Sequence, residues 1–124
     1  MIDHVSLKVS DFKRSRAFYD AALMPLGASA LWTFDEPAPH AGYGRPPKPV
    51  FWIAQGEPAS TSLHVAFAAE RRADVDAFYV AAMAAGGRDN GAPGLRPDYH
   101  PDYYGAFVLD PDGVNVEAVC HLPT

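Results

Sequence analysis

Three side chains of metal-ligating type stand in comparable settings along the 124-residue chain: His4, His64 and Glu117. Around the first, His4, Ser6 and Lys8 alternate with Val5, Leu7 and Val9; around the second, Ser62, His64 and Ala66 alternate with Leu63, Val65 and Phe67. A period of two is the mark of a half-buried strand, so each histidine points away from the apolar side. Near the other end Asn115, Glu117 and Val119 share one side of a strand whose opposite side is Val114, Val116 and Ala118. A carboxylate in so apolar a strand is costly unless it is paired. Two histidines and one carboxylate on a common face can hold Fe(II), Mn(II), Zn(II) and similar ions while leaving coordination positions open. A small substrate would bind such an ion through its own oxygens, with the ion acting as a Lewis acid. Ser6, Lys8 and Asn115 lie on the same sides and are the candidates to orient that substrate.

Other groups have weaker claims. Residues 96–104 read Arg-Pro-Asp-Tyr-His-Pro-Asp-Tyr-Tyr, a proline-stiffened aromatic loop. As a roof over the site it would offer His100 or Tyr103 as acid, base or hydrogen-bond donor; its alternative is a rigid surface feature. His121 shares a side with Glu117, but four residues at about 3.3 Å each put it about 13 Å along the strand, as a terminal, solvated histidine. His40 is expected at the surface. Cys120, on the apolar side, is expected to be a buried, inert thiol. The basic groups Lys13-Arg14-Arg16 and Arg71-Arg72 fall at helix starts and read as solvated faces.

The elements that must position these residues occur twice. Shifting the sequence on itself by 60 residues aligns His4-Val5 with His64-Val65, Ala17-Phe18-Tyr19 with Ala77-Phe78-Tyr79, and Gly27 with Gly87, eight identities in the 24 positions from residue 4. Alanine richness does not account for the His-Val and Phe-Tyr matches, so a duplication is read. In each copy a helix follows the strand. The first runs from a Ser10 or Asp11 cap to about Leu23, before Pro25 and Gly27; the second carries Val75, Phe78, Tyr79, Ala82 and Met83 as a buried stripe ended by Gly86-Gly87. Phe51–Ile53 suggests a strand. Tyr104–Leu109 and Val114–His121 read as a hairpin about Asp110-Pro111-Asp112-Gly113. The fold expected is α+β: two βαβββ modules, about 1–56 and 61–122, within one domain over 1–124, their curved mixed sheets enclosing a concave cleft.

Composition excludes several classes. A formal charge of -5 and a pI near 5.4 argue against a nucleic-acid surface. No apolar run reaches the roughly 20 residues of a membrane span, and Met1-Ile2-Asp3-His4 lacks a charged signal-peptide head. A single cysteine forms no internal disulfide, which points to the cytoplasm.

The sequence resembles the vicinal oxygen chelate superfamily, which includes glyoxalase I, extradiol dioxygenases and bleomycin-resistance proteins. The resemblance lies in residues 2–11, in Ser15–Leu23 with its Arg16-Ala17-Phe18-Tyr19, in Leu63–Phe67, and in Asp110–Gly113 leading to Asn115-Val116-Glu117. It implies that His4, His64 and Glu117 ligate one divalent ion (Fe, Mn, Ni, Zn or Co), that Glu117, Tyr104 or His100 assists proton transfer, and that the chain forms a homodimer. The further glutamate ligand of glyoxalase I falls, by an offset of 64, on Ile53; the auxiliary tyrosine of extradiol dioxygenases falls on Tyr104. Isomerase or lyase chemistry and ring cleavage both remain open. A second expectation is a protein that sequesters a drug or metabolite without catalysis, in an aromatic cleft of Trp32, Phe34, Trp52 and Tyr103.

Overall fold

The computed structural model describes residues 1–60 and 62–123. The first module is β1 (Val5–Val9), α1 (Phe12–Leu23) with a 3-10 turn at Met24–Leu26, β2 (Ser29–Phe34), β3 (His40–Gly44) and β4 (Phe51–Gln55). The second is β5 (His64–Ala68), α2 (Arg72–Ala84), β6 (Arg88–Leu95), β7 (Tyr104–Leu109) and β8 (Asn115–Cys120). Each set of strands forms its own sheet, in the orders β1-β4-β3-β2 and β5-β8-β7-β6. In both sheets the first and last strands of the module pair in parallel and the other neighbours are antiparallel. The architecture is thus α+β, two tandem βαβββ modules, as the repeat implies.

Local chemistry accounts for the helix ends. Asp11, extended at the N-cap, accepts from the Arg14 N–H, and Gly27 takes the left-handed conformation (φ 81°) that closes the 3-10 turn. The apolar strand sides meet the two helices in one continuous cluster that draws Leu7, Phe18, Tyr19, Phe51 and Ile53 from the first module and Phe78, Val108 and Val116 from the second. Polar ties join the modules beside it. The Tyr19 hydroxyl donates to Asp110 Oδ2 at 2.5 Å, Asp110 Oδ1 accepts from the Asp112 and Val114 amides at 2.9 Å, and Ser10 donates through its amide and hydroxyl to Asp112.

The pairing registers correct one alignment. Ser6 faces Trp52 across β1 and β4, and its repeat mate Ala66 faces Glu117 across β5 and β8. The residue equivalent to Glu117 is therefore Trp52, an offset of 65, and not Ile53. Ile53 is buried on the helix side of the sheet.

Candidate functional site

With the helices on one side, the concave side of each sheet is free to carry polar groups, and each sheet has its own cavity. In the second module, strand parity puts His64 on β5 and Glu117 on β8 on the same side. His64 Nε2 lies 2.8 Å from Glu117 Oε1. The two side chains differ sharply in exposure, 49% for His64 and 1% for Glu117, so the imidazole stands at the mouth and the carboxylate at the floor. The second carboxylate oxygen accepts from the Tyr103 hydroxyl. Burial, followed by the hydrogen bond to Glu117, raises the Tyr103 phenol well above its ordinary range, so Tyr103 stays a donor. Gly105 is what leaves room for this: a β-carbon there would come within 3.0 Å of Glu117 Oε2 and 3.2 Å of Tyr103 Cε1. The cavity, about 500 Å³, is completed by Tyr99, His100, Phe107 and His121.

The first module presents a cavity of about 300 Å³ lined by His4, Ser6, Lys8, His40 and Trp52. His4 Nδ1 lies 2.8 Å from Asp3 Oδ1, which also accepts from Lys48 Nζ at 2.7 Å. Those hydrogen bonds, Lys48 first and His4 second, hold the Asp3 carboxyl below its ordinary range. A carboxylate only accepts, so the His4 proton facing Asp3 is on Nδ1, and in the neutral ring the Nε2 lone pair is then free, the arrangement that orients a ligating histidine. Trp52 lies flat on the sheet over Gly42, where a β-carbon would come within 2.7 Å of its ring. Phe34 stacks on His40 at 5.0 Å and on Trp52 at 6.5 Å, and Trp32 tilts against Trp52 at 6.0 Å.

The expected residues are thus brought together only in part. His64, Glu117, Tyr103 and His100 share one cavity; His4, Ser6, Lys8 and Trp52 share the other. Among the described residues no three His, Cys, Asp or Glu side chains are grouped to hold a metal ion within one chain. Asn115 lines neither cavity and instead accepts from Asn90 at 3.2 Å. Tyr104 does not reach the site. It follows Tyr103 in the chain and points to the other side of the sheet, where its hydroxyl donates to Asp76 of α2 at 2.6 Å and its ring lies under the Arg72 guanidinium. Cys120 is buried as expected.

Two histidines depart in part from their sequence reading. His40 is part-buried and lines the first cavity, its Nδ1 2.7 Å from the Ala38 carbonyl. His121 is exposed, as expected, but it is not alone: His100 Nε2 lies 2.8 Å from its Nδ1, the rings stack at 5.1 Å, and Tyr103 meets both in T-shaped contacts. The distance along the strand separates His121 from Glu117, but the 96–104 loop folds back and joins them. The one signal for this in the sequence is the proline-stiffened loop itself.

The model of the Glyoxalase/Bleomycin resistance protein/Dioxygenase superfamily matches residues 1–118. A glyoxalase/bleomycin resistance protein from Albidiferax ferrireducens is 32% identical, with a TM-score of 0.83 over 97% of this chain and 98% of that one. A glyoxalase I mutant from Zea mays is 26% identical, with a TM-score of 0.71; the match covers 95% of this chain and 45% of the maize one. A glyoxalase/bleomycin resistance protein/dioxygenase family enzyme from Burkholderia phytofirmans PsJN shares the fold at 18% identity, with a TM-score of 0.72 over 97% and 98% of the two chains. No curated protein is a significant match.

Proposed function

The chain belongs to the Glyoxalase/Bleomycin resistance protein/Dioxygenase superfamily, and from that premise we propose that it is a metal-dependent enzyme acting on a small molecule that presents two adjacent oxygens. One observation carries the reading. Glu117, fully buried, holds its two oxygens at the floor of a cavity against His64 and Tyr103. A carboxylate in that position is expensive to desolvate, and a stability role alone would be served as well by an apolar side chain.

The donor set fits one divalent transition ion (Fe, Mn, Ni, Zn or Co). His64, giving up the proton it shares with Glu117, and Glu117 itself would supply two protein ligands from one chain, and His4, oriented by Asp3, would supply the third from a second copy. Each chain carries a first-module half and a second-module half, so two-fold pairing of opposite modules closes two identical sites. When bound, the ion supplies Lewis acidity to the two substrate oxygens. The protein's own side chains do the rest. Tyr103 holds a proton beside Glu117 Oε2, His100 stands in the same cavity, and Lys8 and Ser6 meet the substrate from the facing module. Trp52 stands where the repeat would place a second carboxylate, so the first module contributes an aromatic wall and no acid at that point. Cys120, without a disulfide partner, suits a cytoplasmic setting.

The test is metal content after loading with Fe(II), Mn(II), Ni(II) or Zn(II) and gel filtration. About one ion per chain, lost in His64→Ala and in Glu117→Gln, is expected; less than a tenth of an equivalent with every ion overturns the reading. The aromatic stripe of Trp32, Phe34, His40 and Trp52 favours the second reading, sequestration of a flat drug or metabolite. Under that reading, ligand-induced thermal shifts survive His64→Ala unchanged; under the first they do not.

A further inference from the structure

His100 and His121 take no part in the ligand set above, yet both line the Glu117 cavity. Their hydrogen bonds assign their tautomers. The backbone N–H of Asp102 donates to His100 Nδ1 at 3.1 Å. An amide only donates, so that ring nitrogen is an acceptor, and in the neutral ring the proton is on Nε2. His100 Nε2–H therefore donates to His121 Nδ1 at 2.8 Å, and His121 carries its own proton on Nε2. Among the described residues no hydrogen-bond partner of that Nε2–H is found. The three donors point the same way along the chain of bonds, from Asp102 through His100 to His121. Each bond polarises the next, so the terminal N–H is a stronger donor than that of an isolated imidazole. The rings are held in place as well as linked, stacked at 5.1 Å with Tyr103 in T-shaped contact with both.

We propose that His121 is a ligand-binding residue of this cavity, its Nε2–H recognising an anionic oxygen, a carboxylate or an enolate, on the bound molecule, with His100 as the positioning residue that fixes its tautomer. This names the ligand's chemistry and rests on the reading of the Glu117 cavity as the ligand site. The tautomer assignment does not depend on a metal.

The experiment uses the full chain, metal-free and Zn(II)-loaded. Long-range proton–nitrogen NMR at pH 8 reads which ring nitrogens carry protons. Glycolate, which sets a carboxylate beside a second oxygen, is then titrated in, with neutral glycolamide as the control. The expected pattern is unprotonated Nδ1 on both rings, and a His121 Nε2 proton that moves downfield with glycolate and far less with glycolamide. His121→Leu should weaken glycolate about tenfold, the loss of one hydrogen bond to a charged group. His121→Gln, which keeps an N–H at similar reach, should recover most of the affinity, and His100→Leu should leave His121 in mixed tautomers, an effect that general loosening of the fold would not produce. A proton on His100 Nδ1, or glycolate binding to His121→Leu as to the parent, overturns the proposal. Stoichiometric Zn(II) binding without the glycolate response sinks this inference alone. The glycolate response without metal binding sinks the metal reading alone.

Discussion

Trp52 sits opposite Ser6 in the first sheet as Glu117 sits opposite Ala66 in the second. The two copies therefore share this backbone position and differ in what it carries, an indole in the first and a carboxylate in the second. What lets the indole lie flat is Gly42, its neighbour across β3 and β4. In Gly42→Ala the new methyl would come within 2.8 Å of Cζ2, Cε2 and Cη2 of the ring, so the indole must tilt against Phe34 and Trp32, at a cost of about 1–3 kcal/mol. The cavity beside His4 should change shape with it. Tryptophan fluorescence should shift, and affinity for any flat ligand should fall; unchanged fluorescence and binding would show that the indole has no positional role.

Gly105 makes the corresponding close approach in the second sheet. The methyl of Gly105→Ala would press on a buried carboxylate oxygen and on the Tyr103 ring together, so the hydrogen-bonded pair must shift as one. Overpacking of this kind costs about 1–3 kcal/mol. Tyr103→Phe removes the donor to Glu117 Oε2 without adding bulk, leaving a buried acceptor unsatisfied at a cost of about 1–3 kcal/mol. Urea unfolding should show both losses. A Tyr103→Phe variant as stable as the parent would mean that Glu117 is satisfied in some other way.

These contacts divide into those the sequence displays and those it hides. His64 and Glu117 were legible because neighbouring strands with a period of two fix which side each residue takes, and β1, α1, β5, α2 and the β7–β8 hairpin all show their periods plainly. Strand β6, at the far edge of its sheet, does not. β6 contains Gly91, Pro93 and Gly94 and pairs with β7 through two register shifts, so it has no alternation to read. Tyr104 was misplaced because one residue of offset at a strand start reverses the side. His100 and His121 meet through a loop, where no period operates. The separation of His4 from His64 lies deeper still: repeat symmetry makes the two positions equivalent, but equivalence says nothing about whether two modules face each other or face partners.

Buried acids and phenols make stability depend on pH at both ends of the range. Burial raises the Asp110 carboxyl above its ordinary value of 3.8, against the pull of the Tyr19 hydroxyl and two backbone amides. A raised folded-state pKa gives a contribution that is full below 3.8 and is lost as pH rises through the folded value. Asp110→Asn keeps an amide oxygen for the backbone donors and removes the titration, so its stability relative to the parent should improve from pH 3 to pH 7. A constant difference over that range would refute the assignment. Tyr19 and Tyr43 act at the alkaline end, where burial, the first cause for both, raises their phenols far above 10. The unfolded chain ionises them and the folded one does not. Each should therefore cost about 1.4 kcal/mol per pH unit above 10, and Tyr43→Phe should flatten the fall measured by urea unfolding at pH 10–11.

Pairing of opposite modules across two chains makes a prediction that no single-chain site shares. His4→Ala alone and His64→Ala alone should each abolish metal retention, since every site in either homodimer lacks one ligand. Mixed and reassociated, the two variants form a heterodimer with two unlike sites. One combines both alanines; the other combines His4 from the His64→Ala chain with His64 and Glu117 from the His4→Ala chain, and is intact. Statistical mixing makes half of the dimers hetero, each with one intact site, so about a quarter of the parent's metal content should return. Sedimentation should show dimers throughout. If instead His4 reaches His64 within its own chain after a movement of the modules, each chain of the mixture still lacks a ligand and the metal content stays at zero. A protein that sediments as a monomer while binding one ion per chain would exclude the two-chain site in the same way.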